Sequence, residues 1–165
     1  MSAARVLLID DDEQMRSSTA QALELAGFEV EPLSAGEEAL ALASPAFAGA
    51  VVSDIRMPGM DGMTLLGRLH EVDADIPVIL VTGHAEVPLA VQAMRSGAYD
   101  FIEKPFIVQD MANVLRRAIE HRGLVIENRR LRAVAGKHDD IEARLPGRTQ
   151  IMVDLRYRLR AIGPS

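Results

Sequence analysis

Four short apolar runs in this chain lead into residues that could handle phosphorus chemistry. Val6–Ile9 runs into Asp10-Asp11-Asp12, Val51–Ser53 into Asp54, and Val78–Val81 into Thr82; Tyr99–Ile102 is followed closely by Lys104. Carboxylates brought to one rim repel one another, so such a group makes sense with a divalent cation and a permanent positive neighbour. Few carboxylates, completed by water and substrate oxygens, describe a Mg²⁺ site better than a dedicated Ca²⁺ cage, and no EF-hand spacing is present. A carboxylate beside Mg²⁺ can also attack phosphorus and become an aspartyl phosphate. Thr82 could then donate to one phosphoryl oxygen and Lys104 could neutralise another.

These residues act together only if the chain lays the apolar runs side by side. Short apolar runs alternate with helical patterns from the start. Met15, Leu23 and Ala26 fit one helix face that stops at Gly27. Val30–Leu33 follows as a strand, then Ser34-Ala-Gly-Glu37 with capping-box spacing before a helix carrying Leu40 and Ala43. Pro58-Gly59 and Asp61-Gly62 mark a loop, and Met63–Val72 reads as a helix with Leu65, Leu66 and Leu69 inward. Val87–Ser96 is a helix closed by Gly97, and a long helical stretch runs from about Val108 through the Ala133 region. Five strands alternating with five helices imply βαβ units and a parallel sheet with helices on both faces. Ligands of such sheets bind at the carboxyl ends of the strands, where these acids, Thr82 and Lys104 stand.

Composition narrows the classes further. At 165 residues, one domain with an appendage is expected. The 48% apolar and 25% charged content argues against intrinsic disorder. The absence of cysteine removes disulfides, zinc-thiolate sites and thiol catalysis, and fits a reducing, cytoplasmic setting. The first apolar run is too short for a signal-peptide core, and no stretch is long enough to span a membrane. Residues 1–122 hold nine Lys+Arg against nineteen Asp+Glu, whereas residues 123–165 hold nine against five. An acidic body with a basic tail suggests two parts with different jobs, and the body does not look like a DNA-binding surface.

Taken in this order, Asp11-Asp12, Asp54-Ile-Arg-Met-Pro-Gly-Met-Asp-Gly62, Thr82-Gly83 and Lys104-Pro105 resemble the receiver domain of two-component response regulators. The resemblance covers roughly Arg5 to His121. The wording DIRMPGMDG, VTGHAEVPLAVQAM and GAYDFIEKPF is most similar to the sigma-54-dependent, nitrogen-regulator type. It implies a flavodoxin-like, doubly wound α/β sheet of five parallel strands in order 2-1-3-4-5 with an extended C-terminal helix. It also implies a regulatory module, not an enzyme, that accepts a phosphoryl group from a sensor histidine kinase on Asp54. Asp11 and Asp12 would hold Mg²⁺, Asp12 directly, with Asp54 and the backbone carbonyl of Arg56 as further ligands. Thr82 and Lys104 would contact the phosphoryl group. Phe101 would be the switch aromatic, without the hydroxyl of the Tyr that many relatives carry there. The Lys104–Pro105 bond is a cis candidate that would aim the lysine.

Each residue also has a plainer role. The run Asp10–Glu13 could be a solvated helix start, with one of Asp11 and Asp12 capping the first helix. Asp54 alone could initiate a turn, Thr82 could cap, Lys104 could be a surface lysine, and Phe101 could be core. His84 is given no role, and Met57, Met60 and Met63 read as packing. A different class of function is a phosphatase with an aspartyl nucleophile, of haloacid dehalogenase type, which Asp10-x-Asp12 superficially matches. Against it, Glu13-Gln14 replaces the Gly-Thr/Val expected after that pair, and no cap domain or second acidic loop is evident. A pseudo-receiver without chemistry is disfavoured because the acids, Thr82 and Lys104 are all present.

The tail permits a heptad with Val114, His121, Asn128 and Ala135 at a, and Arg117, Leu124 and Leu131 at d. Leu at d with Asn at a fits a parallel two-stranded coil, hence a homodimer, although Arg117, His121 and Gly123 weaken it. The expected organisation is a receiver over 1–122, a coiled-coil linker over 123–144, and over 145–165 a segment resembling the start of the family's ATPase domain. No G-x-x-x-x-G-K-[ST] occurs, so ATP hydrolysis is not expected of this chain. Contact with DNA and with sigma-54 RNA polymerase would need further C-terminal domains.

Overall fold

The computed structural model describes residues 4–83 and 87–138. Strands β1 (Ala4–Ile9), β2 (Phe28–Leu33), β3 (Ala50–Asp54), β4 (Val78–Thr82) and β5 (Asp100–Glu103) alternate with five helices. These are α1 (Glu13–Leu25), α2 (Gly36–Leu42), α3 (Gly62–Val72), α4 (Val87–Arg95) and α5 (Val108–His138). The strands form one parallel sheet of order β2-β1-β3-β4-β5, the order that the resemblance implies.

The apolar runs are continuous because both faces of the sheet are covered. Side chains alternate across a strand, so each run feeds two cores. Val6, Leu8, Val52, Ile79 and Val81 pack with Ala20 and Leu23 of α1 and with Met111, Leu115 and Ala118 of α5. Leu7, Ile9, Val51, Val78 and Leu80 face the other way, onto Ala39 of α2, Leu65, Leu66 and Leu69 of α3, and Ala93 of α4. Each such leucine or isoleucine stabilises the fold by roughly 1.5–3 kcal/mol when fully buried. The order 2-1-3 places the reversal of strand order between β1 and β3, so Asp10 and Asp54 end adjacent strands at the crevice.

Local details differ from the sequence reading. Met15 is exposed, and α1 instead packs through Ala20 and Leu23. The carboxylate that closes the start of α2 is Glu38, not Glu37: it accepts from the Ser34 N–H at 2.8 Å, the Ser34 hydroxyl at 3.1 Å and the Ala35 N–H at 3.2 Å. The helix starts one residue later than Ser34-x-x-Glu37 suggests, which moves the reaching acid by one. Gly27 and Gly97 do end α1 and α4, each at φ +104°, a left-handed conformation that a Cβ disfavours.

Helix α5 carries Met111, Ala112, Val114, Leu115 and Ala118 in the receiver core. Val114, the first a position of the expected coil, is therefore committed to its own sheet. The chain divides into two compact units, Met1–Leu124 and Val125–Ser165. The expected ATPase segment, 145–165, lies outside the described residues, as does His84. Among the described residues no helix is long and apolar enough to cross a membrane.

Candidate functional site

The carboxyl ends of β1, β3, β4 and β5 bring the sequence candidates together. Asp54 is the last residue of β3, Thr82 the last of β4, and Lys104 directly follows β5. Asp54 pairs in register with Val81, and the Ile55 N–H donates to the Val81 carbonyl at 2.9 Å, so the two strands hold this end tightly. The Lys104 N–H donates to the Thr82 carbonyl at 2.8 Å, which ties the lysine's backbone to β4. Thr82 is 1% exposed. The Lys104–Pro105 peptide bond is cis.

Lys104 Nζ donates to Asp54 Oδ2 at 3.1 Å and lies 3.7 Å from Asp10 Oδ2. One ammonium thus faces two carboxylates from adjacent strands. Carboxylate oxygens of Asp10, Asp11 and Asp54 lie within 4.8 Å of one another. The donor set is all oxygen and carries up to three negative charges against one ammonium, which fits a hard divalent cation.

The carboxylates that the fold brings together differ from the pair expected to hold Mg²⁺. Asp10, not Asp12, joins Asp11 and Asp54. The Asp12 carboxylate accepts from the Met15 N–H at 3.0 Å as the N-cap of α1, with Glu13 behind it in the first turn. That bond engages a helix N–H that lacks an intrahelical acceptor, and it points the carboxylate at the helix. Asp10 follows Ile9 directly and is 6% exposed, so it is the acid nearest the sheet. The signal was present: the first polar residue after a buried strand belongs to the rim, and the third in the run to the helix it precedes. The phosphatase pattern Asp10-x-Asp12 loses its second acid to the same cap.

Burial is the main reason that the Asp10 carboxyl titrates above the ordinary carboxylate range, and the charges of Asp54 and Asp11 add to it. The Asp12 N–H, which donates to Asp10 Oδ1 at 3.0 Å, and the Lys104 ammonium act in the opposite direction. A cation here would relieve both the burial penalty and the mutual repulsion.

The loop after Asp54 is shaped by its glycines. Gly59 takes φ +79°. At Gly62 a Cβ would lie 2.6 Å from the Asp54 carbonyl oxygen and 2.8 Å from Ile55 Cα, so only glycine lets α3 start against β3. The Gly62 N–H donates to the Ile55 carbonyl at 2.8 Å, and Asp61 caps α3 by accepting from the Thr64 N–H at 2.8 Å. Arg56 stands in this loop with its side chain exposed. Phe101 is half-buried on β5, opposite Leu80 in register, and packs on the core shared by α3 and α4.

Two arginines escaped the sequence reading. Arg16 of α1 donates through Nη1 to the Asp10 carbonyl at 2.7 Å. Arg122 of α5 is 0% exposed and hydrogen-bonds to the loop before β3. Neither has a sequence signal beyond its charge, because helix periodicity reports apolar faces and not which arginine reaches a carbonyl.

With this geometry in place, comparison with known proteins gives one answer. The family described as "Response regulator receiver domain" matches residues 6–120. The chain is 51% identical over 158 residues to the C4-dicarboxylate transport transcriptional regulatory protein DctD of Pseudomonas aeruginosa, covering 96% of this chain and 34% of that protein. It is 51% identical over 166 residues to DctD of Rhizobium meliloti, covering 100% of this chain and 36% of that one. The chain therefore spans about a third of the length of these curated relatives. Among solved structures, the crystal structure of FixJ-N matches with TM-score 0.67 and 43% identity, covering 73% of this chain and 97% of that one. The solution structure of the beryllofluoride-activated NtrC4 receiver domain dimer matches with TM-score 0.66 and 36% identity, covering 72% and 98%.

Proposed function

The chain belongs to the response regulator receiver domain family, and from that premise we propose that Asp54 is the residue through which phosphorylation controls it. Members of this family are regulatory modules, and the two relatives named above are transcriptional regulators. The observation that carries the assignment is the Lys104 ammonium shared between Asp54 and Asp10. At the strand end this carboxylate keeps part of its surface exposed, while its charge is partly offset by the ammonium.

The donor is a phosphorylated histidine of a sensor kinase. An Asp54 oxygen attacks phosphorus, the new O–P bond forms as the N–P bond breaks, and the electron pair leaves on the imidazole. Asp10, Asp11 and Asp54, with the Arg56 carbonyl, would hold Mg²⁺, which supplies charge neutralisation between the acids and the incoming phosphoryl group. Lys104 binds one phosphoryl oxygen and Thr82 donates its hydroxyl to another. Movement of Thr82 toward that oxygen frees space beside Phe101, whose ring couples the site to α4 and β5 and, through Lys104-Pro105, to α5.

The output is a change in self-association through Leu124, Asn128 and Leu131. Sigma-54-dependent transcription, contact with DNA and ATP hydrolysis would belong to further domains of a longer cytoplasmic activator. The test is labelling with a small acyl phosphate. Incorporation that needs Mg²⁺, is base-labile and disappears in Asp54→Asn supports the assignment; full labelling of that variant refutes it.

A further inference from the structure

Arg16 occupies a position that ordinary helix electrostatics disfavours. It lies in the opening turns of α1, where the helix dipole favours acids and opposes cations, and it sits next to a site built for a cation. Its guanidinium nevertheless does not turn to solvent. Nη1 donates to the Asp10 carbonyl at 2.7 Å, and the Arg16 main-chain N–H donates to the Asp12 carbonyl at 2.9 Å. The side chain thus holds the Asp10 end of the Asp10-Asp11-Asp12 turn, while the bond to the Asp12 carbonyl is the first main-chain bond of the helix.

The other ties on this turn act on Asp10 and Asp12. The Asp10 N–H donates to the Leu33 carbonyl at 3.2 Å, and the Asp12 N–H to Asp10 Oδ1 at 3.0 Å. The Asp10 carbonyl and the Asp11 nitrogen share one planar peptide, so a bond that fixes the carbonyl fixes where Asp11 begins. Asp11 is the exposed member of the carboxylate cluster.

We propose that Arg16 is a positioning residue for phosphorylation of Asp54: by holding the Asp10 carbonyl it sets the Asp10–Asp11 peptide and so presents Asp11 to the cation that Asp10 and Asp54 share. This rests on the reading of the three aspartates as a Mg²⁺ site. It makes a prediction opposite in sign to that of charge alone. A cation beside Mg²⁺ repels it, so if Arg16 were only a nearby charge its removal would tighten Mg²⁺ binding.

The experiment measures Mg²⁺ affinity by calorimetry on the unphosphorylated chain, for wild type, Asp10→Asn, Arg16→Met and Arg16→Lys, together with the Asp10 carbonyl ¹³C resonance without metal. Arg16→Met should weaken Mg²⁺ binding about tenfold and move that resonance. Arg16→Lys, whose ammonium can still donate to a single carbonyl, should stay within about threefold of wild type and restore the resonance. Arg16→Gln carries the same neutral comparison if Arg16→Met does not reach the native state. Mg²⁺ binding that is unchanged or tighter in the neutral variant, with wild type binding normally, overturns the role of Arg16 alone. Wild type that fails to bind Mg²⁺, or Asp10→Asn that binds it as well as wild type, overturns the cation site and the proposal with it.

Discussion

Arg122 Nη2 lies 3.0 Å from Asp73 Oδ2, a buried ion pair between α5 and the residue that caps the carboxyl end of α3. The same guanidinium donates through Nε to the Phe47 carbonyl at 2.8 Å and through Nη2 to the Pro45 carbonyl at 3.1 Å, while Nη1 has no partner among the described residues. Phe47 precedes β3 and Asp73 precedes β4, so this cluster sits at the end of the sheet opposite Asp54. It fastens the last receiver turn of α5 two residues before the first compact unit ends. Removing one partner of a buried pair strands the other charge, at a cost of about 3–5 kcal/mol. Asp73→Asn should lower the urea midpoint by a corresponding amount with little change in slope. A loss below about 1 kcal/mol would mean that the pair is no better than a surface one.

The metal assignment separates two neighbouring acids. Asp10→Asn removes a ligand and should abolish measurable Mg²⁺ binding at millimolar metal. Asp12→Ala removes a helix cap and should cost about 1 kcal/mol of stability while leaving Mg²⁺ affinity near wild type. Calorimetry and urea unfolding on the two variants check this pair of outcomes, and the reverse pattern would return the site to Asp11 and Asp12.

Asp10 also sets a pH dependence. Its folded carboxyl titrates above the unfolded value, chiefly because it is buried. The folded state then binds more protons than the unfolded state across that window. Stability from this group is complete below the unfolded carboxyl value and is lost as pH rises through the folded one. Metal-free wild type should therefore lose stability in this window relative to Asp10→Asn, whose slope should be flatter. Added Mg²⁺ should stabilise wild type at neutral pH and leave Asp10→Asn unmoved. Thermal unfolding from pH 4 to pH 7, with and without Mg²⁺, reads both effects.

How far the sequence carried this site depends on what kind of signal each residue leaves. Val6–Ile9, Val51–Ser53 and Val78–Val81 are continuous because the sheet is covered on both faces, so they marked the strands and placed Asp54 and Thr82 at the rim. The run Asp10-Asp11-Asp12 marked the rim but not which acid faces it, because one residue of helix start decides between rim and cap. The same single-residue uncertainty moved the capping carboxylate from Glu37 to Glu38. Arg16 and Arg122 stayed hidden because Arg16 acts through one backbone carbonyl, and Arg122 through two carbonyls and the distant Asp73 carboxylate. A carbonyl is present at every position, so only the folded path of the chain selects one.

Gly62 tests how closely α3 must approach the site. A Cβ there would sit 2.6 Å from the Asp54 carbonyl oxygen, which is backbone and cannot step aside. Gly62→Ala should cost about 1–3 kcal/mol and slow acyl-phosphate labelling of Asp54, because the strand end must shift. Gly67, exposed in the middle of the same helix with nothing within 4 Å of where a methyl group would stand, is the control. Gly67→Ala should stabilise by about 0.4–1 kcal/mol and leave labelling unchanged.

The last prediction concerns self-association through α5. Leu124 is 64% exposed and Leu131 53% exposed, and they stand seven residues apart with Asn128 between them. Val114 cannot share their seam, since it lies in the receiver core, and Arg122 is held by Phe47, Pro45 and Asp73. Any coil must therefore begin at Leu124 rather than at Val114. A helix presenting leucines at that spacing is marginal in water unless something packs on it, and a second copy with two-fold symmetry is the simplest cover. A buried Asn128 pair would select parallel strands in one register. The seam is short, so the dimer should be weak enough for the receiver to bias. Leu124→Lys with Leu131→Lys places charges on both sides of the seam and removes two apolar contacts per chain. Sedimentation equilibrium should give a monomer for this double variant and a dimer for wild type at the same concentration, while Asp54 still accepts phosphate. Asn128→Ile should tighten association and relax its register. A double variant that remains dimeric would place the interface elsewhere on the receiver.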